Sequence, residues 1–144
     1  MVSDGQIVEE IYQSYAYCNT STGILCAPGQ KYFGRGPIQL RWNYNYNDAG
    51  NAIGFDGIDD PGTVASDPTI SFTTAVWFWM TRSSPTCHDA MVSGMGSFAD
   101  TIRAFSEGRE CGLNPPHPAA EHRVQLYLSY CVALRVDPGT ILYC

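Results

Sequence analysis

Six cysteines in 144 residues constrain this chain more than any other feature. Cys18, Cys26, Cys87, Cys111, Cys131 and Cys144 are even in number, form no CxxC pair, and are accompanied by only three histidines, all in the second half. Zinc sites need closely spaced Cys and His ligands, whereas dispersed, paired-up cysteines in a smallish chain are the pattern of disulfides formed in an oxidising compartment. No metal and no cofactor are expected. Cys144 is the last residue, a poor position for a buried free thiol. Three bridges and a secreted, extracellular or vacuolar protein are the expectation. No apolar signal segment follows Met1, which fits a mature form with an added methionine.

Composition narrows the class further. With 44% apolar and 15% charged residues, the chain can bury a sizeable core as a single domain over residues 1–144. The net charge is −6, and the eight Lys and Arg are scattered, so the basic face of a nucleic-acid binder is missing. The longest run of large apolar residues, about 75–80, is far short of the roughly 20 that a membrane-spanning helix needs. Partners should be small or neutral, and a monomer is expected.

Residues 7–17 open as a short helix, and 18–29, rich in turn residues, form a loop that a bridge from Cys18 to Cys26 would close. Pro37 to Leu40 reads as strand-like. Residues 41–53 have helical apolar spacing stopped by Gly54. Ser66-Asp67-Pro68 is a helix start, a capping side chain followed by proline in the first turn. The helix it opens, through Trp77, Phe78, Trp79 and Met80, is apolar nearly all round and is expected at the centre of the core. That placement makes Trp77 and Trp79 packing residues rather than ligand-stacking ones. Residues 97–107 and 119–136 read as two more amphipathic helices, the last stopped by Asp137-Pro138-Gly139. The fold class is mainly α, with no repeat or linker dividing it.

The segment GRGPIQLRWNYNYN, residues 34–47, places Arg41 among glycines, amides and aromatic rings. Together with YCNTSTGILCAPGQKYF before it, DPTISFTTAVWFWM, PTCHD, REC, HRVQLYLSYC and the terminal LYC, it resembles the plant chitinases of glycoside hydrolase family 19, nearest to the class IV type. The resemblance covers about residues 8–144. It implies a disulfide-stabilised, lysozyme-like, two-lobed helical fold, here shortened at its N-terminus, without a separate hevein-like chitin-binding domain. It also implies bridges Cys18 to Cys26 and Cys111 to Cys144, leaving Cys87 with Cys131. The partners it implies are chitin and N-acetylglucosamine oligosaccharides, and the role is in plant defence.

Such enzymes invert configuration, which takes a protonated carboxyl group beside the leaving oxygen and a carboxylate across the ring to activate water, roughly 6.5–9.5 Å apart. The resemblance of IVEEI assigns the base to Glu10. Its acid belongs upstream, at a place that falls on Met1, so the general acid is expected to be absent. Glu9 cannot replace it, because adjacent side chains on a helix diverge by about 100°. Arg41 stands where the family pattern implies a serine that holds the attacking water. An arginine cannot accept a hydrogen bond, and it is long enough to take the water's place or pair with Glu10; alternatively it snorkels to solvent.

Gln39, Asn43, Tyr44 and Asn45 match positions that in the family contact sugar, and amides and phenols suit a neutral polyhydroxylated ligand. Ser106 replaces an implied sugar-binding asparagine, with Glu107 in place of a glycine. Glu110 with Arg123 matches a pair that in the family orients the acid; here a structural ion pair is expected. The function implied is a chitinase-like protein that binds chitin oligomers and hydrolyses them weakly or not at all. An active inverting endochitinase is the alternative.

Overall fold

The computed structural model of the chain describes residues 16–92 and 96–144. Among them are six α-helices and no strand, only an isolated antiparallel bridge between Arg35 and Leu40. They fall into two compact units, Met1–Phe78 and Trp79–Cys144.

The first unit is built around the turn that the bridge closes. Arg35 and Leu40 exchange backbone hydrogen bonds of 3.3 and 3.0 Å, and the Gln39 N–H donates to the Gly36 carbonyl at 3.0 Å. Pro37 to Leu40 is therefore a tight turn rather than the strand expected, because two glycines and a left-handed Gln39 (φ 54°) let the chain double back within four residues. Helix α1 (Asn43–Ile53) follows at once and stops at Gly54, whose φ of 92° is the left-handed cap that glycine supplies without steric cost. Leu40, Tyr46, Ala49, Tyr32 and Val64, the last on the single turn α2 (Thr63–Ser66), form the buried centre of this unit.

Helix α3 (Pro68–Thr81) begins as its sequence predicts. The Asp67 carboxylate accepts from the N–H groups of Thr69 and Ile70 at 2.7 and 3.1 Å, with Pro68 in the first turn. Its expected all-round burial is not observed. The fully covered positions are Ser71 and Thr74; Ile70, Trp77 and Phe78 pack against the core, while Phe72, Val76, Trp79 and Met80 are exposed. At Ser71 the covering group is backbone. A Cβ on Gly36 would lie 2.9 Å from Ser71 Oγ and 3.3 Å from Val64 Cγ1, so the face of α3 toward the turn has room only for a small side chain. Trp77 is a packing residue, as its sequence context suggests, and Trp79 is not.

In the second unit, α5 (Phe98–Ser106) and α6 (Pro118–Leu134) supply a core of Ile102, Ala120 and Val124, and α4 (Cys87–Val92) packs against α5. Ser97 and Asp100 form a reciprocal capping box at the start of α5, which fixes the boundary predicted there. Helix α6 ends at a left-handed Arg135 (φ 55°), two residues before the Asp137-Pro138-Gly139 stop.

Two bridges are present, Cys18–Cys26 and Cys111–Cys144. The third, Cys87 with Cys131, is corrected: both are buried free thiols. Each has a different polar neighbour. Cys87 Sγ, on α4, points at the Thr101 carbonyl 3.8 Å away, and Cys131 is hydrogen-bonded to the Tyr127 phenol. Burial pushes the Cys87 thiol above its ordinary range, so it stays protonated and unreactive near neutral pH.

Candidate functional site

The 34–47 segment supplies a small exposed surface on the first unit. Leu40 is buried in the core and Arg41 is exposed. Trp42 then adopts a left-handed φ of 75° while its N–H donates to the Tyr32 carbonyl at 2.9 Å. Two non-glycine residues in that conformation within four positions is uncommon, and it turns the Trp42 ring outward, 38% exposed.

Beneath these side chains lies bare backbone. A Cβ on Gly34 would stand 2.7 Å from Gln39 Oε1 and 3.2 Å from Arg41 Nε, so both side chains cross over Gly34 and meet there. The Arg41 guanidinium also reaches the Tyr17 ring, 5.8 Å from its centroid. Tyr17 packs edge-on against Trp42 at 5.4 Å, and Trp42 stacks on Tyr44 at 6.1 Å with planes 14° apart. The Asn45 amide donates to the Arg41 carbonyl at 2.8 Å, tying the start of α1 to the same stretch. Gln39, Arg41, Tyr44 and Asn45 are thus brought together as the sequence pattern anticipates.

Asn43 is not part of that surface. It is fully buried, its amide nitrogen donates to the Asn19 and Ile24 carbonyls at 3.2 and 2.8 Å, and its oxygen accepts from the Asn19 N–H at 2.8 Å. Its expected ligand contact is corrected to a structural one: it fastens the Cys18–Cys26 loop to α1. Asn43→Ala is expected to cost about 1–2 kcal/mol in urea denaturation, since it removes the buried amide's three hydrogen bonds to partly buried backbone groups of Asn19 and Ile24. A loss below about 0.5 kcal/mol would show that water replaces the amide.

Tyr17 and Trp42 were missed by sequence reasoning. The signal for Trp42 was its place beside Arg41 at the mouth of a turn; nothing local marks Tyr17. A second cation, Arg35, is buried. Its guanidinium lies 3.8 Å over the Phe33 ring and donates to the Lys31 carbonyl at 2.9 Å and the Tyr46 hydroxyl at 3.0 Å. Arg35 is a core strut, and Arg41 is the exposed charge.

In the second unit, Ser106 is buried and its hydroxyl accepts from the Glu110 N–H at 3.3 Å, so it closes the end of α5 instead of facing a ligand. Glu110 and Arg123 form a two-point ion pair at 3.2 and 3.3 Å, with the guanidinium 4.3 Å over Phe105. The ion pair itself is present, as expected. Glu107 pairs with Arg109 at the surface. Glu10, assigned as base, lies outside the described residues, as do Met1 and Glu9. Among the described residues, no group of three or more His, Cys, Asp or Glu side chains is placed to hold a metal ion, and no helix is long and apolar enough to cross a membrane.

The first unit, tied by Cys18–Cys26, thus presents an amide, a guanidinium and two stacked rings beside the Gly34 backbone. The chain belongs to the chitinases of glycoside hydrolase family 19: the family model described as Chitinase class I matches residues 4–144. It is 53% identical over 133 residues to Chitinase 5 of Oryza sativa subsp. japonica, covering 91% of this chain and 43% of that protein. To Endochitinase A of Zea mays it is 50% identical over 139 residues, covering 95% and 46%. The chain therefore spans under half the length of these curated relatives. The solved class IV chitinase from Zea mays superimposes with a TM-score of 0.78 at 48% identity, over 95% of this chain and 64% of that one. Chitinase C from Streptomyces griseus HUT6037 gives 0.83 at 34% identity, over 95% and 68%. The fold is the mainly helical one of these chitinases.

Proposed function

We propose that this chain holds β-1,4-linked N-acetylglucosamine oligomers against the 34–47 surface, with hydrolysis weak or absent. The observation that carries the proposal is the convergence of Gln39 and Arg41 over the bare Gly34 backbone, flanked by the exposed Trp42 ring. An aromatic face covers the apolar side of a sugar ring, and an amide supplies both a donor and an acceptor to its hydroxyl and acetamido groups. Arg41 supplies donors only, so it cannot orient a water through that water's own hydrogen as a hydroxyl can. Proton transfer by a positioned side chain contributes typically about 10²–10⁴-fold, and disturbing the water removes the step that the base serves. The two bridges fit an extracellular or vacuolar site of action.

An active inverting endochitinase is the second reading. The intact Glu110–Arg123 pair favours it, as does the similarity to endochitinases of Zea mays.

A proton NMR time course with the hexamer of N-acetylglucosamine separates the two. Saturable protein shifts without new reducing ends are expected, and Trp42→Ala should weaken binding several-fold to about tenfold. Product released as the α-anomer would establish the enzyme instead. No shift on the first unit at any concentration would move the ligand elsewhere.

A further inference from the structure

The second unit holds a cavity of about 890 Å³, lined by the 83–85 turn and by residues of α4 and α5. That volume lies within the roughly 300–1,000 Å³ of small-molecule sites. We propose that it is a second ligand site, for short basic peptides that end in a free carboxylate, of which Lys-Lys is the simplest. The proposal is independent of the saccharide reading of the first unit.

The cavity wall carries three carboxylates, Asp89, Asp100 and Glu107, and one guanidinium, Arg103. Arg103 stands three residues after Asp100 and four before Glu107, the spacings at which ion pairs form along a helix. It pairs with neither, because both partners are engaged elsewhere. The Asp100 carboxylate turns back to the start of α5, where its Oδ2 accepts from the Ser97 N–H at 3.0 Å and from the Ser97 hydroxyl at 2.7 Å. Glu107 leaves the helix in a left-handed conformation (φ 52°) and accepts from the Arg109 guanidinium at 3.0 Å. Hydrogen bonds from Thr86 hold the Asp89 carboxyl below its usual range, so it too is charged near neutral pH. Among the described residues no carboxylate lies within ion-pair distance of Arg103. One cavity therefore presents both signs of charge without neutralising them, with the negative sign in excess.

The complement of three carboxylates and one guanidinium is a ligand with several ammonium groups and a single carboxylate. The planar fork of Arg103 can donate two parallel hydrogen bonds to a terminal carboxylate, and each ammonium group brings three donors to the acidic side chains. The methylene stems of lysine need an apolar wall, which Pro85 and the buried Ala90 and Ala104 supply. A polyamine would satisfy the carboxylates but would set a like charge against Arg103.

The test is an NMR titration of the full chain near neutral pH and at low salt, with Lys-Lys, its C-terminal amide and the N-acetylglucosamine hexamer as separate probes. The chain's net charge of −6 by itself favours the amide, which has lost its negative group, so the order of the two peptides isolates the contribution of Arg103. Lys-Lys is expected to shift residues 83–90 and 100–108 saturably and to bind about three- to fivefold tighter than its amide. Arg103→Gln should abolish that preference. Glu107→Gln should keep it while weakening both peptides about two- to threefold. Both side chains are exposed, so neither variant removes core packing. An amide that binds the unsubstituted protein as tightly as the acid, a preference for the acid that survives Arg103→Gln, or no shift in 83–90 and 100–108 would each overturn the proposal. So would shifts there from the hexamer and none from Lys-Lys, which would make the cavity part of a saccharide site.

Discussion

Gly57→Ala is expected to destabilise the first unit by more than about 3 kcal/mol, a large effect for a single added methyl group. A Cβ at Gly57 would sit 1.9 Å from the Tyr46 carbonyl oxygen and 2.6 Å from its carbon, distances that no side-chain rotation relieves because both atoms are backbone. The helix cannot retreat cheaply either. Gly50 on the same helix approaches the Phe55 carbonyl so closely that its own Cβ would lie 2.5 Å away, and Gly54 and Phe55 both donate to the Gly50 carbonyl, at 2.8 and 3.1 Å. Glycines at both contact points let the 55–57 loop lie directly on α1, which brings Phe55 and Ile58 onto the core. The matched control is Gly62→Ala, where the nearest atom is 3.4 Å away at Asp60 Oδ1. Urea denaturation of the pair decides the matter: similar midpoints for the two variants would mean that the loop shifts freely and the close approach holds nothing together.

The second large effect concerns the chain's end. Replacing Cys111 and Cys144 together by serine is expected to cost about 3–4 kcal/mol, the range set by freeing a loop of 33 residues in the unfolded chain. The native side argues in the same direction. Leu142 and Cys144 pack on the Ile102, Ala120 and Val124 core, the Gly112 N–H donates to the Cys144 carbonyl at 2.7 Å, and the Ala99 N–H donates to the Ile141 carbonyl at 3.3 Å. The tail is thus held by one covalent bond and a few local contacts, with Ile141 and Tyr143 exposed beside it. Removing the smaller Cys18–Cys26 link, which closes only eight residues, should cost less by roughly 1 kcal/mol on loop length alone. Thermal unfolding of the two double-serine variants, with bridge content checked by mass, would reverse this order only if the Cys18–Cys26 loop carries more of the fold than its length implies. Asn43 is the group that could make it do so, since it ties both Asn19 and Ile24 to α1.

Some of this site was legible in the sequence. Gln39, Arg41, Tyr44 and Asn45 come together because they lie within seven positions across one turn and one helix start, and such neighbours meet whatever the rest of the chain does. Trp42 was within the same stretch, but its outward direction depends on a left-handed backbone that no local residue preference predicts. Asn43 went the other way. Its type and place suggested a ligand contact, and a loop closed by a bridge between 18 and 26 covers it instead.

The same division runs through the fold. The sequence by itself determined where α1, α3 and α5 begin or end, because Gly54, Asp67-Pro68 and the Ser97–Asp100 box act within one turn of the residues they cap. It also determined the family, through a motif dense enough to carry the whole turn. Tertiary structure alone decided which face of α3 is covered, that Cys87 and Cys131 are buried as separate thiols, and that Arg35 is a strut while Arg41 is a surface charge. The physical reason is range. Caps and turns are settled by atoms a few residues apart, whereas burial is settled by whichever distant backbone arrives, as Gly36 does at Ser71, and by how much room it leaves.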